Sequence, residues 1–401
     1  MKFGIQMGYG LQQASIDLTR KWGGGAVVVT PRVFRFQNGV PIESSIIKYC
    51  KRISKYASEV FFDPMLYIGK DQIRQVANAK YSQRVNGTNA DGYLNAIPEI
   101  LALNEECNTS ATILPSWTIG VCDNEWALYQ ERSSHVAKQQ NAERRVFVTL
   151  SLSSDLLKQV ETIDWIAENS DRWHSDGAFL ALEHPNNDYL THEPLWLLNV
   201  LCLIASLKRT GKEVMIGYGS HQLLFSALAK CDYLCCGNFL NVRRFHTEDF
   251  RQSREEARGH RATWYYVPQA LSEFKVPSLD LAHAMGVLQS LKPPYEDTYA
   301  NMLFAGAIPS STAYNEGMSF KHYLNSLYWQ SEQLTLRDYD ETFYACQSLI
   351  RTAETLVDGL RQVGVHDRDR NFSQASQACS QAISAFNTKM GFVMRNAWHE
   401  L

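Results

Sequence analysis

The residues with most chemistry to offer stand at the ends of short apolar runs. Asp63-Pro64 follows run 59–62, Glu183-His184 follows run 178–182, Gly217-Tyr218-Gly219 follows run 214–216, and Cys235-Cys236 closes run 233–236. A carboxylate at such an end, stiffened by Pro64, is preorganised to attack or stabilise an electron-poor sugar carbon. An aspartate there also caps turns and helices. Glu183 offers a second carboxylate for acid or base work, with His184 beside it to tune the proton inventory. The same pair serves structurally if Glu183 bonds a loop amide and His184 fills the rim. Cys235 is a nucleophile where a nearby positive charge lowers its pKa, and otherwise a small buried hydrophobe. Cys235 and Cys236 are neighbours on one strand, so only one of them faces inward. A glycosidase reading needs the Asp63 and Glu183 carboxyls about 5–9.5 Å apart.

Eight apolar runs, 2–6, 26–30, 59–62, 112–114, 145–150, 178–182, 214–216 and 233–236, must position these groups. Continuous runs rich in β-branched and aromatic residues read as strands buried on both faces. Amphipathic segments separate most of them, at 11–22, 41–57, 70–81, 91–106, 126–140, 154–169, 194–210 and 221–230. Eight such units predict a TIM (β/α)8 barrel over residues 1–245, with its chemistry at the C-terminal ends of the strands. Segment 82–92 is polar and rich in Gly and Asn, and is expected to be an exposed loop on that face. Residues 246–401 are expected to form a charged connector and a mostly α-helical region, packing on or beside the barrel, with long helices at 318–333, 340–363 and 371–394.

The chain has 401 residues, 45% of them hydrophobic, which suits a large core, and a net charge of −3, which does not suggest a general polyanion binder. No secretory signal and no apolar run of about 18 residues is visible, so no membrane contact and a cytoplasmic location are expected. The nine cysteines form no CxxC pair and read as reduced thiols. No HxH, HExxH, Walker or dinucleotide motif appears, so neither a metal site nor a dissociable cofactor is expected.

Several side chains near the run ends suit a flat ligand. Tyr9, Tyr67, Trp117 and Tyr218 offer ring faces, while Gln6, Ser116 and Asn238 offer edge-reading hydrogen bonds. Gly217 and Gly219 allow close backbone approach. Arg32 follows the second run, and Arg243, Arg244, His246, Arg251, Arg254, Arg258, His260 and Arg261 follow the eighth. Arginine forks bind phosphate, although Glu248, Asp249, Glu255 and Glu256 among them also fit a solvated helix of ion pairs.

Ile216-Gly217-Tyr218-Gly219, Leu223-Leu224-Phe225-Ser226-Ala227, Cys231-Asp232-Tyr233-Leu234-Cys235-Cys236 and Asn241-Val242-Arg243-Arg244 resemble the seventh and eighth strands of the tRNA-guanine transglycosylases. Segment 147–156, Ser175-Asp176-Gly177-Ala178 and the placement of Asp63 are similar to earlier parts of that family. Segment 25–32 with Phe61-Phe62-Asp63-Pro64 looks closer to its DNA-acting branch. The resemblance implies exchange of guanine for a 7-deazaguanine base in nucleic acid, DNA favoured over tRNA. The target base would be flipped into the barrel mouth, with Asp63 at the sugar carbon, Glu183 or His184 moving protons, and Arg32 and the later arginines on phosphates. It also implies a possible homodimer or partner protein. The alternative is a catalytically degenerate barrel that binds nucleic acid or a partner. Three departures favour that alternative: Cys235 stands where the family has its nucleophilic aspartate, Leu150-Ser151-Leu152-Ser153 replaces the base-reading motif, and the family's zinc ligands are absent.

Overall fold

The structure, a computed structural model, describes residues 1–35, 40–69, 73–85, 87, 89–251 and 262–401. Eight parallel strands close into a barrel: β1 (Lys2–Gln6), β2 (Ala26–Val29), β3 (Glu59–Phe62), β4 (Ala111–Ile113), β5 (Val146–Leu152), β6 (Gly177–Leu182), β7 (Glu213–Gly219) and β8 (Tyr233–Cys236). Closure comes from β1 pairing with β8, where Gly4 lies opposite Cys235. All of Ala26–Val29 and Val146–Leu152 is buried, because helices cover the outside of the strands while side chains fill the inside.

Alternation along the strands sorts the two faces. Phe3 and Cys236 point outward to Trp22 and Tyr323, whereas Lys2, Gly4 and Gln6 point inward. Phe61 meets Phe147 at 6.1 Å and Tyr233 at 5.5 Å between ring centroids, filling the middle of the barrel. Beneath them a charged floor runs from Lys2 to Glu59, Arg145 and Glu213, with the Tyr233 hydroxyl donating to Glu59. Phe179 packs so tightly on β7 that a β-carbon at Gly217 would lie 2.3 Å from its ring tip. Gly217→Ala is therefore expected to lower unfolding free energy by about 1–3 kcal/mol, as overpacking does. Urea denaturation checks this, and an unchanged midpoint would show that the ring yields freely.

The structure differs from the sequence reading in three places. Within the described residues segment 70–81 is not one helix: residues 70–72 lie outside them, Arg74–Ala77 makes one turn and Lys80–Arg84 a 3-10 turn, because the chain is tied down tertiarily. Ile73 N–H donates to Phe250 O, and the Tyr81 hydroxyl to Pro64 O. The expected exposed loop at 82–92 buries Ser82 and Val85 and enters the helix Ala90–Cys107 under an Asn89 cap, while residues 86 and 88 lie outside the described residues. Beyond the barrel an antiparallel hairpin, β9 (Trp264–Val267) and β10 (Ser272–Lys275), stands where only connector and helix were expected. The aromatic run Trp-Tyr-Tyr-Val was its one local signal.

The C-terminal helices Glu316–Gln333, Tyr339–Gln362 and Ser376–Ala397 pack directly on the barrel. Phe372, Ile383 and Met394 belong to the same apolar core as Ile5 and Val200, and Trp22 stacks on Tyr328 at 4.5 Å. A smaller core, with Tyr265, Phe274 and Leu303, lies under the hairpin. Among the described residues no helix is long and apolar enough to cross a membrane.

Candidate functional site

Asp63 follows β3 directly and points inward over the C-terminal mouth. Its Oδ2 accepts from the Tyr218 hydroxyl at 2.5 Å and from Gln6 Nε2 at 3.4 Å. Its Oδ1 accepts from the Tyr67 hydroxyl at 2.9 Å and from Met65 N–H at 2.8 Å. Burial raises the Asp63 pKa, opposed by these hydrogen bonds and by the charge of Arg32. Two of the four donors come from non-glycine residues in the left-handed region, Met65 at φ 59° and Tyr218 at φ 55°. Such conformations store backbone strain and cluster at functional sites.

Asp63 does not face an opening. It is 1% exposed, and the chain after β8 covers it. Phe245 lies 4.9 Å from the Tyr67 ring and 5.5 Å from that of Tyr218, and Phe250 lies 4.9 and 5.4 Å from the same two rings. The expectation of a rim carboxylate facing a purine-sized gap is corrected: two phenylalanines occupy that gap.

The cover is fastened on two sides. On one, Glu183 accepts from Thr247 N–H at 3.2 Å and Thr247 Oγ1 at 2.8 Å, and His184 N–H donates to Phe245 O. Glu183 thus bonds a loop amide and His184 fills the rim. Burial lowers the His184 pKa to about 4, so its ring is neutral, with Nδ1 3.0 Å from Asp188 O. On the other side Arg32 donates to Asn241 O at 3.2 Å and Asp249 O at 2.6 Å, and its guanidinium lies 4.7 Å from the Phe250 ring centroid. Among the described residues no carboxylate lies within ion-pair distance of Arg32, although it is only 9% exposed.

Other expected site residues fall elsewhere. Cys235 is fully buried inside the barrel, where a β-carbon at Gly4 would come within 2.5 Å of its sulfur. Burial pushes its thiol well above the usual range, which corrects the nucleophile reading. Ser116 is taken up by Trp126 and Gln130, away from Asp63. Gly217 and Gly219 pack on Phe179 and Leu234, so they serve barrel packing rather than close ligand approach. Asn238 donates to Tyr9 O, and its buried Oδ1 has no partner among the described residues.

Of the arginines after the eighth run expected to grip phosphate, those described face carboxylates. Arg243 is buried against Glu273, Arg244 faces Asp249 at 4.0 Å, and Arg251 pairs with Glu248 at 2.8 Å. Arg254, Arg258, His260 and Arg261 lie outside the described residues. Sequence reasoning missed Phe245, Phe250, Glu273, Trp264 and Arg370. Phe245 and Phe250 left the trace of two phenylalanines set among charges, and Trp264 that of the aromatic run in the hairpin.

A cleft of about 960 Å³ is lined by Arg32 and Asp249 of the cover's fastening, while Asp63, Tyr67 and Tyr218 stay behind it. Arg32, Asn238 and Tyr9 form its barrel side, and Trp264, Arg370 and Phe320 its outer side.

No protein-family model matches this chain, and no curated protein matches it. Solved structures similar to it include the active domain 2 of chitinase from Pyrococcus furiosus, with 10% identity over 58% of this chain and 82% of that one and a TM-score of 0.37. Xylanase 10B from Thermotoga maritima matches at 10% identity over 59% and 82%, with a TM-score of 0.36. A family 39 glycoside hydrolase from Bacteroides cellulosilyticus WH2 matches at 10% over 63% and 61%, with a TM-score of 0.37. The tRNA-guanine transglycosylase assignment, and the base exchange it implied, are corrected. The similar structures named are glycoside hydrolases. In this chain the position of that family's nucleophile is a sealed thiol, and the mouth is filled by phenylalanine rings.

Proposed function

We propose that this chain is a barrel enzyme whose proton-transfer centre is Asp63, bridged by Tyr67 and Tyr218, and whose substrate is a small polar molecule entering from the cleft beside it. The supporting observation is a buried carboxyl with a raised pKa, held by two tyrosyl hydroxyls at the C-terminal mouth of the barrel. A desolvated carboxyl of this kind keeps its proton closer to neutral pH and gives it up to a reacting oxygen, while the tyrosines stabilise the anion left behind. Glu183 is committed to Thr247, so it holds the cover in place and is not paired with Asp63 in this reading.

The test is a turnover screen against chromogenic glycosides, sugar phosphates and sugar acids. Asp63→Asn, which keeps the shape and removes the transferable proton, should lower any turnover found by about 10²–10⁴-fold. Tyr218→Phe should lower it less. Full activity in Asp63→Asn, with an unchanged circular dichroism spectrum, would remove the carboxyl from the reaction.

A further inference from the structure

Access to Asp63 requires part of the cover to move, and the two ends of the cover are held differently. The Phe245 end is fixed by carboxylate and main-chain bonds: Glu183 to Thr247, His184 N–H to Phe245 O, and Arg244 to Asn187 O. Among the described residues the Phe250 end is held by the Arg32 fork on Asn241 O and Asp249 O, by that guanidinium against the Phe250 ring, by one bond from Ile73 N–H to Phe250 O, and by the Arg244–Asp249 pair at 4.0 Å. Carbonyl oxygens are neutral acceptors. An anion makes charge-assisted bonds to a guanidinium that are roughly twice as strong. Arg32 also lines the cleft, together with its acceptors Asn241 and Asp249.

We propose that Arg32 is the specificity-determining residue of this site: an anionic group on the ligand takes its fork from Asn241 and Asp249, and the Phe250 end of the cover then lifts from Tyr67 and Tyr218 while the Phe245 end stays in place. The proposal rests on the reading of Asp63 as the reacting centre. A carboxylate, phosphate or sulfate group satisfies it equally, since each presents two oxygens to the fork. A neutral ligand has nothing with which to displace two carbonyls and leaves the centre shut. Among the described residues, the Phe250 end is otherwise tied by the Ile73–Phe250 backbone bond, which water replaces at little net cost, and by the long Arg244–Asp249 pair at 4.0 Å.

The experiment is hydrogen exchange of segment 243–251, with carbodiimide labelling of Asp63 read by mass spectrometry. Both use sodium sulfate or glucuronate as the probe, against sodium chloride at matched ionic strength. In the wild type, either anion should speed exchange around Phe250 and labelling of Asp63 by at least about tenfold, the worth of two ordinary hydrogen bonds, with Phe245 unaffected. Arg32→Ala should be fast without any anion and insensitive to its addition. Should that variant fail to fold, Phe250→Ala keeps the arginine and should label Asp63 quickly in chloride alone. Equal rates in sulfate, glucuronate and chloride, or slow anion-independent labelling in Arg32→Ala, would overturn the proposal. The turnover screen is scored separately. A cover that opens on anion binding with an Asp63→Asn variant of full activity would retain the gate and reject the reaction centre.

Discussion

Glu273→Ala should cost about 3–5 kcal/mol of unfolding free energy, the loss seen when one partner of a buried ion pair is removed. Glu273 Oε1 and Oε2 both lie 3.0 Å from Arg243 Nη1, and Oε2 lies 3.0 Å from Arg370 Nη1. The Arg243 and Glu273 side chains are each 2% exposed. Arg243 also donates to Gly237 O and lies 3.4 Å from the Tyr323 ring centroid. Deleting the carboxylate leaves the buried Arg243 guanidinium without its counter-charge. The three residues come from the end of β8, from β10 and from the chain before the last helix. Their loss should therefore loosen the hairpin and the C-terminal helices together. Urea unfolding of wild type, Glu273→Ala and Glu273→Gln measures it, with the glutamine variant retaining the shape. A drop below about 1 kcal/mol in both variants would place the pair among ordinary surface bridges.

Stability should also fall steeply as pH drops from about 6.5 to 4. Burial holds the His184 and His221 pKa values down at about 4, each ring being fully enclosed. In the unfolded chain both rings take a proton near pH 6.5. Between the two values the unfolded state binds more protons than the folded one, so unfolding is favoured as pH falls. Each histidine contributes on the order of 3 kcal/mol across that window. His221 gives the argument a geometric basis. Its buried Nε2 has no hydrogen-bond partner among the described residues, and burial outweighs the Glu273 charge, which favours the protonated ring, while the Arg243 charge opposes it. Glu273 acts lower down: its pKa is held at about 2 by the neighbouring guanidiniums against its burial. Its stabilisation is complete above about pH 4.5 and is lost as pH falls towards 2. Urea midpoints at pH 8 and pH 5 should separate clearly, and His184→Asn with His221→Gln should bring them closer. Midpoints that stay together in the wild type would show that both rings protonate in place.

The barrel was legible because strands buried on both faces must be continuous apolar runs. Runs such as 26–30 and 59–62 carry that signature without needing their neighbours. The placement of Asp63 at a strand end was legible for the same reason. Its cover was not. Phe245 and Phe250 sit in a stretch dense with arginine and glutamate, and only the folded chain shows that they turn inward while the charges pair outside. Arg243 and Glu273 are thirty residues apart, the second of them inside an unanticipated hairpin, and no local pattern joins them. The resemblance in strands seven and eight rested mainly on glycines and aliphatic residues. Close packing of Gly217 on Phe179 and of Gly219 on Leu234 requires those residues whatever the chemistry.

The rings of Phe61, Phe147 and Tyr233 and the charged floor beneath them have a kinetic consequence. They stopper the axis, so the barrel has a front door and no back exit. On the proposed reading of Asp63 as the reacting centre, product leaves by the route the next substrate uses, so it should inhibit competitively with substrate.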